Sequence, residues 1–137
     1  MTTTTTTLTA GDTLPAWELP ITPTLVVSTA ISTRDFQDVH HDRDIAQAAG
    51  SKDIFVNILT STALVERYVT DWAHALTGGW DAEVRGIAIR LGAPAYPYDT
   101  LTFTGTVESV EDGVATLRVT GSVPLGDHVT GTVKVAL

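Results

Sequence analysis

A chain of 137 residues can form one domain with a hydrophobic core but is too short for two domains of ordinary size. Its composition, 43% hydrophobic and 18% charged, is typical of a globular protein, and no apolar run is long enough to span a bilayer. The formal net charge of −8 disfavours nucleic acid and anionic membranes as partners, and the absence of cysteine excludes disulfides, thiolate metal sites and cysteine nucleophiles.

The chain begins with MTTTTTTLTA, in which β-branched threonines present no apolar face to bury. We therefore expect a disordered tail over residues 1–10, followed by one domain over residues 11–137. A secretory signal would require a basic segment followed by an apolar stretch, and this pattern is missing. The expected compartment is the cytoplasm.

The next segments are predicted to contain a strand and a short helix. Prolines at 15, 20 and 23 break LPAWELPITP into an irregular lead-in, and TLVVSTAIS (24–32) is rich enough in β-branched residues to predict a strand. In DRDIAQAAG, Asp42 can cap a short helix that Gly50 ends.

One long helix and an antiparallel meander make up the rest of the chain. Apolar residues at helical spacing predict a helix over 54–76 that ends at TGG. Alternating patterns then predict strands over 82–91, 100–110, 114–123 and 128–137, with an EDG turn before the third. A helix that buries its apolar stripe in a curved antiparallel sheet is an α+β structure, the hot-dog fold. A single unit leaves sheet edges open, so we expect it to pair with a second copy or a relative.

Between the first predicted strand and the short helix lies DFQDVHHDRDIA (35–46). It resembles the signature of the MaoC-like (R)-specific enoyl-CoA hydratases: Asp, any residue, Asn, Pro, an aliphatic residue, His, five residues and a small residue. Asp35, His40 and Ala46 match its ends, whereas Gln37 and Asp38 stand where the family has Asn and Pro. The likeness continues through LGAPAYPYDTLTFTGTV (91–107), where Tyr98 replaces a glycine of the family.

A narrower likeness lies in TRDFQDVHHDRD, GSKDIFVNILT and RYVTDWA. These segments are similar to the small catalytic subunits of heteromeric MaoC-like hydratases of actinobacterial steroid side-chain degradation. This resemblance implies a steroid enoyl-CoA substrate in cholesterol catabolism and a larger MaoC-like hot-dog partner subunit, with a heterotetramer as one candidate assembly. A downstream thiolase-like aldolase is a further candidate partner.

Hydration of an enoyl thioester requires a base for water, a proton for the α carbon and donors for the developing enolate oxygen. We interpret Asp35 and His40 as the pair that binds and activates water, with their individual roles left open. For the oxygen we expect the start of the long helix, where alignment from His40 places the family's His-Gly pair on Asn57 and Ile58. We expect Ile58 to donate its backbone amide and Asn57 to add a side-chain donor.

Two other functions remain open. A hot-dog thioesterase would use a carboxylate on the long helix, where Glu66 and Asp71 stand, and a non-catalytic partner subunit would lack the Asp or the His. No histidine and carboxylate spacing indicates a metal site, and no cofactor is expected beyond coenzyme A carried by the substrate. We interpret His41, His74 and His128 as exposed or structural. We interpret Tyr96, Tyr98 and Trp80 as lining an acyl pocket or a dimer seam.

Overall fold

A computed structural model describes residues 7–137. A five-stranded antiparallel sheet, ordered β1-β3-β4-β5-β2, packs against the long helix α3, which contacts both edge strands as well as β5. A sheet whose two edges reach the same helix must curve around it, so the predicted α+β hot-dog architecture is confirmed. The elements are β1 (Thr13–Pro20), α1 (Pro23–Ser32), a 3-10 turn (Asp38–His40), α2 (Arg43–Ala48), α3 (Ile58–Thr77), β2 (Glu83–Leu91), β3 (Thr100–Glu111), β4 (Val114–Val123) and β5 (Gly126–Ala136).

Helix α3 begins four residues later than the sequence predicted. Ile54 and Val56 extend the apolar pattern, but they lie before the helix in a segment without regular secondary structure, where the Val56 N–H donates to the Ala95 carbonyl at 3.1 Å. At the other end Gly78 adopts φ +73°, the left-handed cap that the TGG sequence predicted. None of the helices within residues 7–137 is both long and apolar enough to cross a bilayer.

The prediction of a strand over 24–32 is wrong, because this segment forms α1. The Thr22 hydroxyl accepts the Leu25 N–H at 3.0 Å, and Pro23 occupies the first helical position. Both features are typical helix starts, and they outweigh the β-branched composition of the segment. Burial of Val26 and Ala30 then holds one face of α1 against the core.

The segment predicted as an irregular lead-in is the edge strand β1. It pairs antiparallel with β3, and the pairing register shifts between Leu14 and Trp17. Proline is tolerated there because an edge strand leaves one side of its backbone unpaired. The Pro15 carbonyl, freed by this irregularity, accepts the Tyr68 hydroxyl of α3 at 2.7 Å.

The C-terminal meander follows the sequence prediction closely. The bounds of β2 to β5 lie within two residues of those predicted, and β4 matches at both ends. The EDG turn places Asp112 and Gly113 at φ +51° and +77°, the left-handed pair that a tight hairpin requires. Inward residues of these strands, such as Phe103, Leu117 and Val133, are fully buried in the core.

The predicted tail over 1–10 lies mostly outside the described residues. Within the described part, Leu8 packs against the core, and the Thr9 N–H donates to the Asp12 carboxylate at 2.9 Å. The Gly11 N–H donates to the Val107 carbonyl of β3 at 2.8 Å. Contacts with the domain therefore begin before residue 11.

Candidate active site

Asp35 lies in the loop between α1 and the 3-10 turn. Arg34 adopts φ +56°, and the Asp35 N–H donates to the Ala30 carbonyl at 2.8 Å, so the chain turns sharply at the end of α1. The left-handed region is uncommon for a residue with a Cβ atom, and such residues occur often at functional sites. The Asp35 side chain retains 21% exposure, which leaves its carboxylate accessible from outside.

His40, at the end of the 3-10 turn, directs its Nε2 toward the Asp35 carboxylate at 3.4 Å. Its Nδ1 lies 2.7 Å from the Phe55 carbonyl oxygen. A carbonyl only accepts hydrogen bonds, so Nδ1 carries the proton and Nε2 of the neutral ring has a free lone pair. The ring is 5% exposed, and the Phe55 side chain packs against it edge to face. The structure thus brings the two predicted catalytic residues together.

Asn57 joins this pair to the start of α3. Its side-chain oxygen caps the helix by accepting the Thr60 N–H at 3.0 Å. Its Nδ2 donates to the Asp35 carboxylate at 3.1 Å and to the Thr33 hydroxyl at 2.9 Å. All the hydrogen-bonding groups of this 2% exposed side chain are therefore used within the chain. This corrects the expectation that the Asn57 side chain would face a substrate oxygen, because its amide orients Asp35 instead.

The surroundings of Asp35 favour its ionised form. The hydrogen bond from Asn57 is the main cause that lowers the pKa of the Asp35 carboxyl from its usual 3.8. Burial acts in the opposite direction, while the Gln37 N–H, at 3.2 Å from Oδ1, lowers the pKa further. Asp35 is consequently a carboxylate at neutral pH, able to accept hydrogen bonds and to stabilise a nearby positive charge.

The first turn of α3 lies directly after Asn57. Among the described residues no acceptor contacts the N–H groups of Ile58 and Leu59, the first two of the helix. Such groups, at the positive end of a 20-residue helix, form a suitable site for a developing negative charge. The side chains of Ile58 and Leu59 are 52% and 51% exposed, so this end of α3 opens onto the surface.

Two further histidines contact this region, although the sequence pattern did not indicate it. His41 was interpreted as facing solvent, but it is half-buried and its Nε2 lies 2.7 Å from the Asp35 carbonyl oxygen. His128, on β5, is 2% exposed and its Nε2 lies 2.7 Å from the hydroxyl of Ser61, which is fully buried. Its Nδ1 donates to the Ala93 carbonyl at 2.7 Å. Burial lowers the pKa of His128 from its usual 6.5, and the hydrogen bond to Ala93 partly offsets this.

The alternative carboxylates are not part of this arrangement. Glu66 and Asp71 lie on the exposed face of α3, where Asp71 pairs with Arg67 at 3.5 Å. Within residues 7–137, no group of three or more His, Asp or Glu side chains is close enough to bind a metal ion.

The three aromatic residues predicted to line a pocket or a seam differ in their exposure and in their contacts. Tyr96 is 8% exposed and its hydroxyl lies 3.3 Å from the Ser51 hydroxyl, so it belongs to the interior. Tyr98 is 83% exposed and adopts φ +75°, a conformation that explains why the related signature has glycine there. Trp80 is 84% exposed and packs on His74 at the far end of α3.

Comparisons with known proteins show the family of this chain. The model of the MaoC-like domain matches residues 6–135. The beta subunit of 3-oxo-4,17-pregnadiene-20-carboxyl-CoA hydratase from Mycobacterium tuberculosis (strain ATCC 25618 / H37Rv) is 58% identical over 127 residues, which cover 93% of this chain and 95% of that protein.

Solved structures show the same similarity. A chain in the crystal structure of the ChsH1-ChsH2 complex from Mycobacterium tuberculosis superposes with a TM-score of 0.88 at 58% identity, covering 93% of this chain and 97% of that one. The (R)-hydratase from A. caviae involved in PHA biosynthesis superposes with a TM-score of 0.80 at 19% identity, covering 96% and 98%. At 19% identity, the second match shows only that the two chains share a fold.

Proposed function

We propose that this chain, which belongs to the MaoC-like domain family, is the catalytic subunit of an enoyl-CoA hydratase. The resemblance first drawn from residues 35–46 is confirmed by the family match. The observation that carries the proposed activity is the pairing of the Asp35 carboxylate with His40 Nε2 at 3.4 Å, on an accessible loop beside the start of α3.

In the proposed reaction, one water molecule is held between Asp35 and His40. His40 Nε2 has a free lone pair because Nδ1 donates to Phe55, so it accepts a proton as the water oxygen bonds to the β carbon. The resulting imidazolium returns this proton to the α carbon on the same face. The Asp35 carboxylate orients the water and stabilises the imidazolium between these steps, and both residues end in their starting protonation states.

The negative charge that develops on the thioester oxygen needs donors at the moment of addition. We assign this role to the backbone N–H groups of Ile58 and Leu59, which have no acceptor among the described residues. Asn57 contributes indirectly, because its side chain caps the same helix and holds the Asp35 carboxylate. No cofactor takes part, and coenzyme A enters only as part of the substrate.

The proposed substrate class is a steroid side-chain enoyl-CoA. Support comes from the relative at 58% identity, which is named as a hydratase of a pregnadiene carboxyl-CoA. The exposed apolar side chains of Phe36, Ile58 and Leu59 around the site fit a bulky apolar acyl group. We place this reaction in the cytoplasm.

The proposed assembly is a heteromer with a larger MaoC-like subunit. The similar chain solved in the ChsH1-ChsH2 complex supports a partner. In this chain β1 and β2 are edge strands with one unpaired side, and the loop that carries Asp35 is open at the surface. A second hot-dog unit would cover such an edge and complete the walls of the site.

An assay with 3-oxo-4,17-pregnadiene-20-carboxyl-CoA tests this function, using the chain alone and after co-purification with the larger subunit. We expect the conjugated enoyl absorbance to disappear while the thioester stays intact, and Asp35→Asn and His40→Ala complexes to be nearly inactive. Release of free thiol would identify a thioesterase instead. Equal rates for wild type and both variants would identify a non-catalytic subunit.

A further inference from the structure

We propose that His41 is a positioning residue that holds the Asp35 backbone in its catalytic orientation. This inference rests on the proposed function, because it concerns how the Asp35 and His40 pair is kept in place. His41 itself does not contact the reacting atoms, and its contribution passes through Asp35.

Consecutive histidines approach Asp35 from two sides. His40 Nε2 faces the carboxylate at 3.4 Å, whereas His41 Nε2 lies 2.7 Å from the Asp35 carbonyl oxygen. The carbonyl accepts, so His41 must carry a proton on Nε2. The His41 ring also stacks on Phe36, with centroids 6.4 Å apart and planes 19° apart. A hydrogen bond and a ring contact thus both act on the residues that follow Arg34.

The backbone at this loop needs such support. Arg34, which directly precedes Asp35, adopts φ +56°, a conformation that is strained for a residue with a Cβ atom. The Asp35 N–H is held by Ala30, but its carbonyl has no other partner than His41 among the described residues. Removing the His41 donor would free this peptide group to rotate.

Rotation there would displace the carboxylate. Gln37 and Asn57 hold its two oxygens at 3.2 and 3.1 Å, contacts that depend on where the Asp35 Cα lies. A shift of about 1 Å in a reacting group is sufficient to lower a rate considerably. The loss should appear in kcat, since the apolar groups around the site that would contact the acyl chain remain in place.

Two substitutions separate the hydrogen bond from the ring contact. His41→Phe keeps a ring on Phe36 but removes the donor, whereas His41→Gln keeps an N–H donor at similar reach but removes the ring. In the complex with the larger subunit, assayed with 3-oxo-4,17-pregnadiene-20-carboxyl-CoA, we expect His41→Phe to lower kcat by roughly ten-fold with KM within about two-fold. We expect His41→Gln to remain within about two-fold of wild type. Wild-type kcat in His41→Phe, or a larger loss in His41→Gln than in His41→Phe, would overturn the proposal.

A double substitution shows whether His41 acts through Asp35. If it does, adding His41→Phe to Asp35→Asn should lower the residual kcat no further, whereas an independent role predicts another ten-fold loss. The same experiment distinguishes the two proposals. Full activity of Asp35→Asn alone would refute the proposed function, whereas an inactive Asp35→Asn with an unaffected His41→Phe would refute only the role of His41. Equal melting temperatures of the complexes exclude unfolding as the cause.

Discussion

Two histidines of this chain are held by the same contact but differ in what they face. His40 and His128 each donate from Nδ1 to a backbone carbonyl at 2.7 Å, so each neutral ring presents Nε2 as an acceptor. His40 Nε2 faces the partly exposed Asp35 carboxylate at 3.4 Å, whereas His128 Nε2 contacts the hydroxyl of the fully buried Ser61 at 2.7 Å.

The same Nδ1 contact in both rings means that the tautomer alone does not distinguish the histidine proposed for catalysis from the buried one. The short contact between His128 and Ser61 occupies the Nε2 lone pair, and both residues are buried. The longer separation between His40 and Asp35 leaves both groups able to bind a third partner, and a carboxylate can stabilise the charged imidazolium, which a hydroxyl does far less well. Under the proposed function, the exposure of the Asp35 carboxylate and the chemistry of the partner group are therefore what distinguish His40 from His128.

The same substitution at both positions should reveal the largest difference between His40 and His128. Asparagine can keep the Nδ1-type donor to the carbonyl but has no group in place of Nε2. We expect His40→Asn to lower kcat of the complex by about 10² to 10⁴-fold while its melting temperature changes little. His128→Asn should leave kcat within about three-fold of wild type. Comparable kcat values in the two variants would show that the distinction is wrong.

The free energy of unfolding, in contrast to kcat, should change more on substitution of His128 than on substitution of His40. His128→Asn and Ser61→Ala each remove one side of a buried hydrogen bond between β5 and α3, at an expected cost of about 1 to 3 kcal/mol in the free energy of unfolding. Denaturant titration of each variant measures this loss, with His40→Asn as the matched control. If His40→Asn proves as destabilising as His128→Asn, the assignment of His128 as the structural histidine fails.

A substitution at Asn57 should lower kcat less than a substitution at His40. Asn57→Ser keeps a helix cap but removes the amide donor to Asp35, which raises the pKa of that carboxyl. We expect kcat to fall by roughly ten-fold and the acidic limb of the pH–rate profile to move to higher pH. Thr33→Val, which removes the other acceptor of the Asn57 amide, serves as the control and should leave that limb in place.

The smallest expected effect is the pH dependence of stability. Burial lowers the pKa of His128 in the folded chain, so its contribution is complete above the usual 6.5. As the pH falls below that value, the unfolded chain binds a proton that the folded chain does not, and stability decreases. The melting temperature should therefore fall less for His128→Asn than for wild type between about pH 7.5 and about pH 5. Parallel curves would mean that His128 is not buried in its neutral form.

The patterned parts of the fold were predictable because their local signals agree with their burial. Alternation along β2 to β5 matches a sheet with one buried face, and the EDG turn fits a tight hairpin. Prediction failed over 24–32, where β-branched composition indicated a strand but Thr22 and Pro23 begin a helix. It also failed for the edge strand β1, because the prolines that argue against a central strand are tolerated at an edge.

The family, the element order after residue 54 and the two residues proposed for catalysis could be predicted from the sequence, since they depend on residue types and spacings along the chain. The contacts of Asn57 and His41 with Asp35, and of His128 with Ser61, could be found only in the folded chain. Those contacts join residues from 6 to 67 positions apart. Hydrogen-bond partners at such separations depend on how the helix, the loop and the sheet pack together. This packing cannot be predicted from a local sequence pattern.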